Sequence, residues 1–214
     1  MPTAQQLIDN VKSLALVGAT GSANDVPRIE AYFNMAYREL YELAAERYPW
    51  FVQTIQDVPA VLGVGTMNPQ PLHILSVRDV NNSLAKLDQT DVLTVEERDP
   101  AFSATGNPNK FWVNGFASLN AYPFKNTTIR VRYTPNAAVL TSSSAESEIM
   151  FQPTHHDALV WGTLKLMAYD ERDKIVGAEL AYNKEAHDAV LDRMWRWFDA
   201  HAPKESKPVQ SYLG

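Results

Sequence analysis

Residues 154–202 read THHDALVWGTLKLMAYDERDKIVGAELAYNKEAHDAVLDRMWRWFDAHA, without a proline. The chain has 13 prolines, and nine of them fall between Pro49 and Pro153. Proline has no backbone N–H and breaks helix interiors, so long helices are confined to the proline-free stretches, which also include Arg28–Tyr48. The order that follows is helices, a strand-rich centre, then helices. Within the quoted stretch Ala158, Leu159, Val160, Trp161, Leu164, Leu166, Met167 and Ala168 wrap nearly all round one helix, the pattern of a buried central element. Thr154 is expected to cap it, with Asp157 favouring the positive end of its dipole. Gly162 leaves room for a neighbour. Asp170–Lys174 reads as a charged turn. A second helix is predicted from Ile175 to Ala200, with Ala178, Ala181, Tyr182, Ala186, Ala189, Val190, Trp197 and Phe198 inward.

At the other end, Thr3 and Gln6 have the spacing of a capping box, and Leu7, Ile8, Val11, Leu14 and Ala15 follow at helical intervals. Gly18 is the expected stop, and Ala19–Asn24 a loop. A second helix starts near Asn24 or Asp25 and presents Ile29, Phe33, Ala36, Tyr37, Leu40, Leu43 and Ala44, until Pro49 ends it. The centre is rich in β-branched and aromatic residues. Strands are predicted at Phe51–Val58, His73–Val80, Leu84–Leu87, Phe111–Val113 and Thr128–Tyr133, with a short helix at Thr90–Arg98. Gly63, Gly65, Asn68 and Pro69 mark a turn, and Asn81-Asn82-Ser83 a hairpin. Thr141–Ser144 reads as part of a surface loop. The fold class is therefore α+β: a bundle formed by the N- and C-terminal helices, with a mid-chain antiparallel β-rich insertion. The domains are 1–50 plus 150–202 for the bundle, 51–149 for the insertion, and 203–214 for an extended arm.

The totals narrow the function. With 214 residues and 45% hydrophobic side chains, the chain can bury a core. Nineteen basic against 25 acidic residues give a net charge of −6, unlike a protein that grips nucleic acid through clustered Lys and Arg. There is no cysteine, which removes disulfides, thiolate metal sites and thiol nucleophiles. No apolar run approaches the ~20 residues that span a bilayer, and Met1–Asn10 is polar and capped like a helix rather than a secretion signal.

No catalytic motif stands out. His155-His156-Asp157 is the most site-like group, but adjacent helical residues point about 100° apart, and zinc helices use an i, i+4 pair. The expectation is a helix start with histidines facing solvent or a partner. Gly18–Ser22 and Gly63-Val64-Gly65 lack the Lys-Ser/Thr of a phosphate loop. Glu96-Glu97 and Asp170-Glu171 are acidic pairs beside turns, expected to be solvated. Arg130 and Arg132 share one strand face, where they either form salt bridges, the favoured reading, or touch DNA. Trp195 and Trp197, with Arg193 and Arg196, form an aromatic and basic patch. Trp197 is expected to face the core, which leaves Trp195 and Arg196 as a possible protein interface. No cofactor or metal is expected.

Several motifs occur in an order that resembles the head-to-tail adaptor (connector) proteins of tailed bacteriophages. They are Arg47-Tyr48-Pro49-Trp50 closing a helix, the proline-led strand Pro71–Val80, the short helix at Thr90–Arg98, and Gly106-Asn107-Pro108 followed by Phe111-Trp112. Tyr122-Pro123, Arg130-Val131-Arg132-Tyr133 and Pro153 with His156-Asp157-Ala158-Leu159 complete the set. The resemblance covers roughly Val26–Ala200. It implies a structural protein of the virion neck, assembled in the host cytoplasm. Identical subunits, twelve by analogy, would form a ring under the portal protein, extend the DNA channel without specific binding, and offer a surface to the tail or a stopper. It also implies that residues 203–214 reach towards the portal, with Val209, Tyr212 and Leu213 as apolar anchors and Lys204 and Lys207 meeting acid. The free protein would be monomeric or weakly associated. Other neck components (a stopper or tail-completion protein), a DNA-binding module and a small hydrolase remain the alternatives.

Overall fold

In the computed structural model, which describes residues 3–17, 26–170 and 177–203, the chain divides into two compact units. One takes in the described residues up to Tyr48 and from Ala137 onward; the other is Pro49–Asn136.

The first unit is helical. α1 (Ala4–Val17) opens on the expected capping box: the Thr3 N–H donates to Gln6 Oε1 at 2.9 Å and the Gln6 N–H to Thr3 Oγ1 at 3.4 Å. Its Ala4, Leu7, Ile8 and Val11 are buried, whereas Leu14 is exposed. α2 (Val26–Arg47) buries Ile29, Phe33, Ala36, Tyr37, Leu40, Tyr41, Ala44 and Ala45, a stripe of i, i+3/i+4 spacing. Gly18, the loop at Ala19–Asn24 and the start of α2 at Asn24 or Asp25 lie outside the described residues. α5 (His156–Asp170) is the central element, packed against α1, α2 and α6 (Gly177–His201). The two ends of the chain therefore share one helical core, as the proline distribution predicts. Gly162 makes that packing possible: a Cβ placed there would stand 3.3 Å from both Ala36 Cβ on α2 and His187 Nε2 on α6.

Two further helix details differ from expectation. Thr154 does not cap α5, because a 3₁₀ turn at Pro153–His155 precedes it and carries Thr154 in its middle. The inner face of α6 does not include Ala181, Tyr182 or Ala189, which are exposed. It runs through Asn183, His187, Met194 and Phe198. Two of these four are polar, so apolar periodicity missed them, whereas Phe198 is buried as expected. Of the charged turn, Asp170 ends α5 and Glu171–Lys174 lie outside the described residues, as do Ile175 and Val176.

The segment after Ala137 lies along α2, fastened by polar side chains. Asn34 Nδ2 donates to the Leu140 carbonyl at 2.6 Å, and Asn34 Oδ1 accepts from the Leu140 N–H at 2.7 Å. Glu30 accepts from the Ser142 N–H, and Tyr37 Oη from the Met150 N–H.

The second unit is β-rich. It begins with one helical turn, α3 (Pro49–Val52), where a strand was expected. Proline at a helix's first position suits its fixed φ and missing N–H, so the strand starts only at Thr54. Two four-stranded sheets follow. The first has the order β1 (Thr54–Ala60), β8 (Thr127–Pro135), β3 (Pro71–Asp79), β4 (Ala85–Lys86). The second has β2 (Val64–Thr66), β7 (Ser118–Tyr122), β6 (Lys110–Asn114), β5 (Asp88–Gln89). Every pairing is antiparallel except β5 with β6. The short helix α4 (Val92–Arg98) is capped by Asp91, which accepts from the Thr94 N–H at 2.7 Å. One core joins the sheets, built from Val58, Val77, Ile129, Val131 and Tyr133 of the first and Phe111, Leu119 and Ala121 of the second. At the turn into β2, Gly63 has φ +77° and sits so near β7 that a Cβ would lie 2.3 Å from the Ala121 carbonyl oxygen, so no other residue fits.

Candidate partner-binding surfaces

The last turns of α6 carry the aromatic patch. Phe198 is fully buried, and Tyr48 stacks on it at 5.1 Å and on Trp195 at 5.8 Å. Arg47 lies over the Trp195 ring at 5.5 Å. Tyr48 Oη donates to Asp199 Oδ1 at 2.5 Å; burial first, and this carboxylate second, push the phenol up to about 12. On the other side of Phe198, Trp197 meets His155 edge-on at 5.0 Å and stacks on His201 at 4.2 Å. The two tryptophans thus flank Phe198, both half-buried. The division into an inward Trp197 and an outward Trp195 does not hold, because the ring of Tyr48 covers Trp195. Arg196 is exposed and ion-paired with Asp192 one turn back, at 2.6 Å.

His155 and His156 do not face solvent: they are 5% and 2% exposed. The turn at Pro153–His155 rotates both rings inward. His156 Nε2 bonds the Phe151 carbonyl at 2.9 Å. His155 Nε2 has no hydrogen-bond partner among the described residues, and its pKa is lowered by burial, then by His156 and Arg193. Asp157 is exposed, 3.8 Å from Arg193. Earlier in α6, His187 is buried and borders a cavity of about 50 Å³ that Ala36, Glu39, Gly162 and Lys165 also line. Burial and Lys165 lower its pKa, against Asp188 and Glu39. Sequence spacing gave no sign of this third histidine.

The outer face of the first sheet carries most of its exposed charge. Across the strands, Asp57 on β1 stands opposite Arg130 on β8, Arg130 opposite Arg78 on β3, and Arg78 opposite Lys86 on β4. Arg130 grips Asp57 with two bonds of 2.7 and 2.8 Å, which holds that carboxyl below its ordinary range. The favoured salt-bridge reading is therefore correct for Arg130. Arg132 remains exposed, next along β8 on the same face. Arg78 and Lys86, which sequence reading did not connect to this face, join it through the strand register.

The remaining sequence candidates form no reactive arrangement. Glu96 and Glu97 are exposed on α4, and Asp170 is held by Arg28 at 2.6 Å and Tyr32 at 2.5 Å. Among the described residues no group of three or more His, Asp or Glu side chains is placed to hold a metal ion. Lys204, Lys207, Val209, Tyr212 and Leu213 lie outside the described residues.

What this molecule offers is shaped surface: a helical unit with an aromatic terminus and a sheet with a charged face. The chain belongs to the SU10 adaptor protein family, whose model matches residues 2–206. It is a phage adaptor, a structural protein, and the family implies contact with portal and tail components and a place in the virion neck. No curated protein matches the chain. No helix among the described residues is long and apolar enough to cross a membrane.

Proposed function

We propose that the protein forms a ring of identical subunits, twelve by family analogy, that docks under the portal, extends the DNA channel and presents the attachment surface for the tail or a stopper. Assembly takes place in the host cytoplasm. Family membership over residues 2–206 carries this reading. Its division of labour assigns the bundle, 1–50 plus 150–202, to the body of the ring, and the insertion, 51–149, to the tail side or to neighbouring subunits. The arm at 203–214 meets the portal through Lys204, Lys207, Val209, Tyr212 and Leu213. Trp195 and Arg196 contribute a further protein contact.

Charge supports the channel role. A net charge of −6 gives a lining that repels phosphate weakly, so that DNA slides instead of being held. Electron microscopy of necks from the phage that encodes this chain tests the reading: a ring of density between portal and tail is expected. A truncation after Ala202 is expected to remove that ring from the portal while the remaining chain stays folded. Necks that keep the ring without residues 203–214 would overturn the arm's role, and a chain absent from the neck would overturn the whole reading.

A further inference from the structure

Like charges placed directly opposite one another in a sheet are destabilising, yet Arg130, Arg78 and Lys86 form one row across β8, β3 and β4, with Arg132 beside it. Among the described residues, two of the four have carboxylates in reach: Asp57 for Arg130, and Asp88, 3.8 Å from Lys86 and largely exposed. Arg78 bonds only the Leu84 carbonyl, and Arg132 has no acidic partner among the described residues. The row spans two inter-strand spacings, about 10 Å.

The counterpart lies on α2. Glu39, Glu42 and Glu46 are exposed and follow one another at i, i+3 and i+7, a single stripe about 10 Å long by helical rise. None has an ion-pair partner among the described residues, and Glu42 and Glu46 repel each other one turn apart. Arg38 shares this surface and leaves it net negative. Residues 49–136 hold seven basic and seven acidic side chains, so the entire charge of −6 belongs to the remainder of the chain.

From this match of sign, number and length we infer that the outer face of the first sheet docks on the exposed face of α2 in a second copy of the chain. Such a contact joins two different patches, so it repeats head-to-tail and closes into a ring when the rotation permits. Duplex DNA fits the sheet less well, because a strip with two uncompensated cations falls short of the six to ten phosphate contacts, roughly, of a typical DNA-binding surface. The inference rests on the ring proposed above and specifies which surfaces meet between subunits.

Charge reversal in the full-length chain, made in place of the native protein during phage growth, tests it. The sheet variant is R78E with K86E, the helix variant is E42K with E46K, and a third chain carries all four. Each variant alone is expected to lower the count of ring-bearing necks by about tenfold or more, since like-charge contacts in an interface are strongly disfavoured. The fourfold chain is expected to recover to within about threefold of native, because the pairing is restored with signs exchanged. Melting curves of the purified variants report folding. If the sheet variant melts early, R78Q with K86Q replaces it, with a smaller loss expected. Native-like necks with either variant, or no recovery in the fourfold chain, would overturn the contact. Filter retention of duplex DNA that falls with the sheet variant alone, while necks stay intact, would assign the face to DNA and overturn it too. Native necks without a ring would instead remove the ring on which it rests.

Discussion

Gly162 on α5 and Ala36 on α2 face each other so closely that a Cβ on the glycine would stand 3.3 Å from the alanine Cβ, with His187 Nε2 at the same distance on α6. Three helices meet at this point, and two of them lie on opposite sides of the β-rich segment in the chain. Replacing Gly162 with leucine is expected to destabilise the helical unit by about 1–3 kcal/mol, the range for overpacking a filled core. Thermal or urea unfolding followed by circular dichroism measures it. A variant as stable as the native chain would show that the helices have room to separate.

Asn34 fixes the segment after Ala137 by two hydrogen bonds to one residue, Leu140. Asn34→Ala leaves both backbone groups of Leu140 without that partner, at about 1–3 kcal/mol. Faster proteolytic cleavage within residues 137–145 is expected, with the sheets unaffected.

The buried histidines set an acid limit. Burial lowers the pKa of both His155 and His187 in the folded chain. His156 and Arg193 add to the effect at the first; at the second Lys165 adds to it, while Asp188 and Glu39 oppose it. The unfolded chain therefore binds more protons, and stability rises with pH through this window. The full contribution is present above the ordinary histidine value of about 6.5 and is lost as pH falls through the lowered values. The melting temperature of the helical unit is expected to drop between neutral and mildly acidic pH. His155→Phe keeps a ring against Trp197 and Phe198 and removes a buried nitrogen that has no hydrogen-bond partner among the described residues. It should flatten the pH slope without lowering stability at neutral pH.

Asp99 works in the same direction in the β-rich unit, at lower pH. Its carboxylate accepts from the Ala104 N–H, Tyr122 Oη and Ser103 Oγ, which hold its pKa down to about 2. A depressed carboxylate stabilises above its unfolded pKa, and that contribution is lost as pH falls through about 2. Asp99→Asn is expected to weaken the link to Tyr122 at neutral pH and to make unfolding of this unit less acid-sensitive.

Duplex DNA should be retained poorly. With seven basic residues balanced by seven acidic ones in 49–136, and a net negative remainder, filter binding at physiological salt is expected to stay near background. Tight, steeply salt-dependent retention would favour a DNA-binding module over a sliding channel.

The fold was legible where proline and apolar periodicity agree. The all-round apolar pattern of Ala158–Ala168 marked α5 as central, and the capping box at Thr3 and Gln6 located the start of α1. Legibility failed where polar residues are buried. Asn183 and His187 on α6 belong to the core, so an apolar stripe chosen without them rotated the helix onto exposed Ala181 and Tyr182. His155 and His156 were misplaced for the same reason. β2 and β5 are only three and two residues long, too short for alternation to register. The basic row was half visible: Arg130 and Arg132 alternate on one strand, but Arg78 and Lys86 join them only through pairing between distant strands.

Because α1 and α2 bury their apolar stripes against α5, the protein cannot finish its helical core as it leaves the ribosome. The first two helices are made early and must wait, with Phe33, Tyr37 and Leu40 uncovered, until Pro49–Asn136 has been synthesised and α5 follows. The β-rich unit is contiguous and has no such delay. During translation it is the nascent first helices, not the sheets, that need shielding from aggregation.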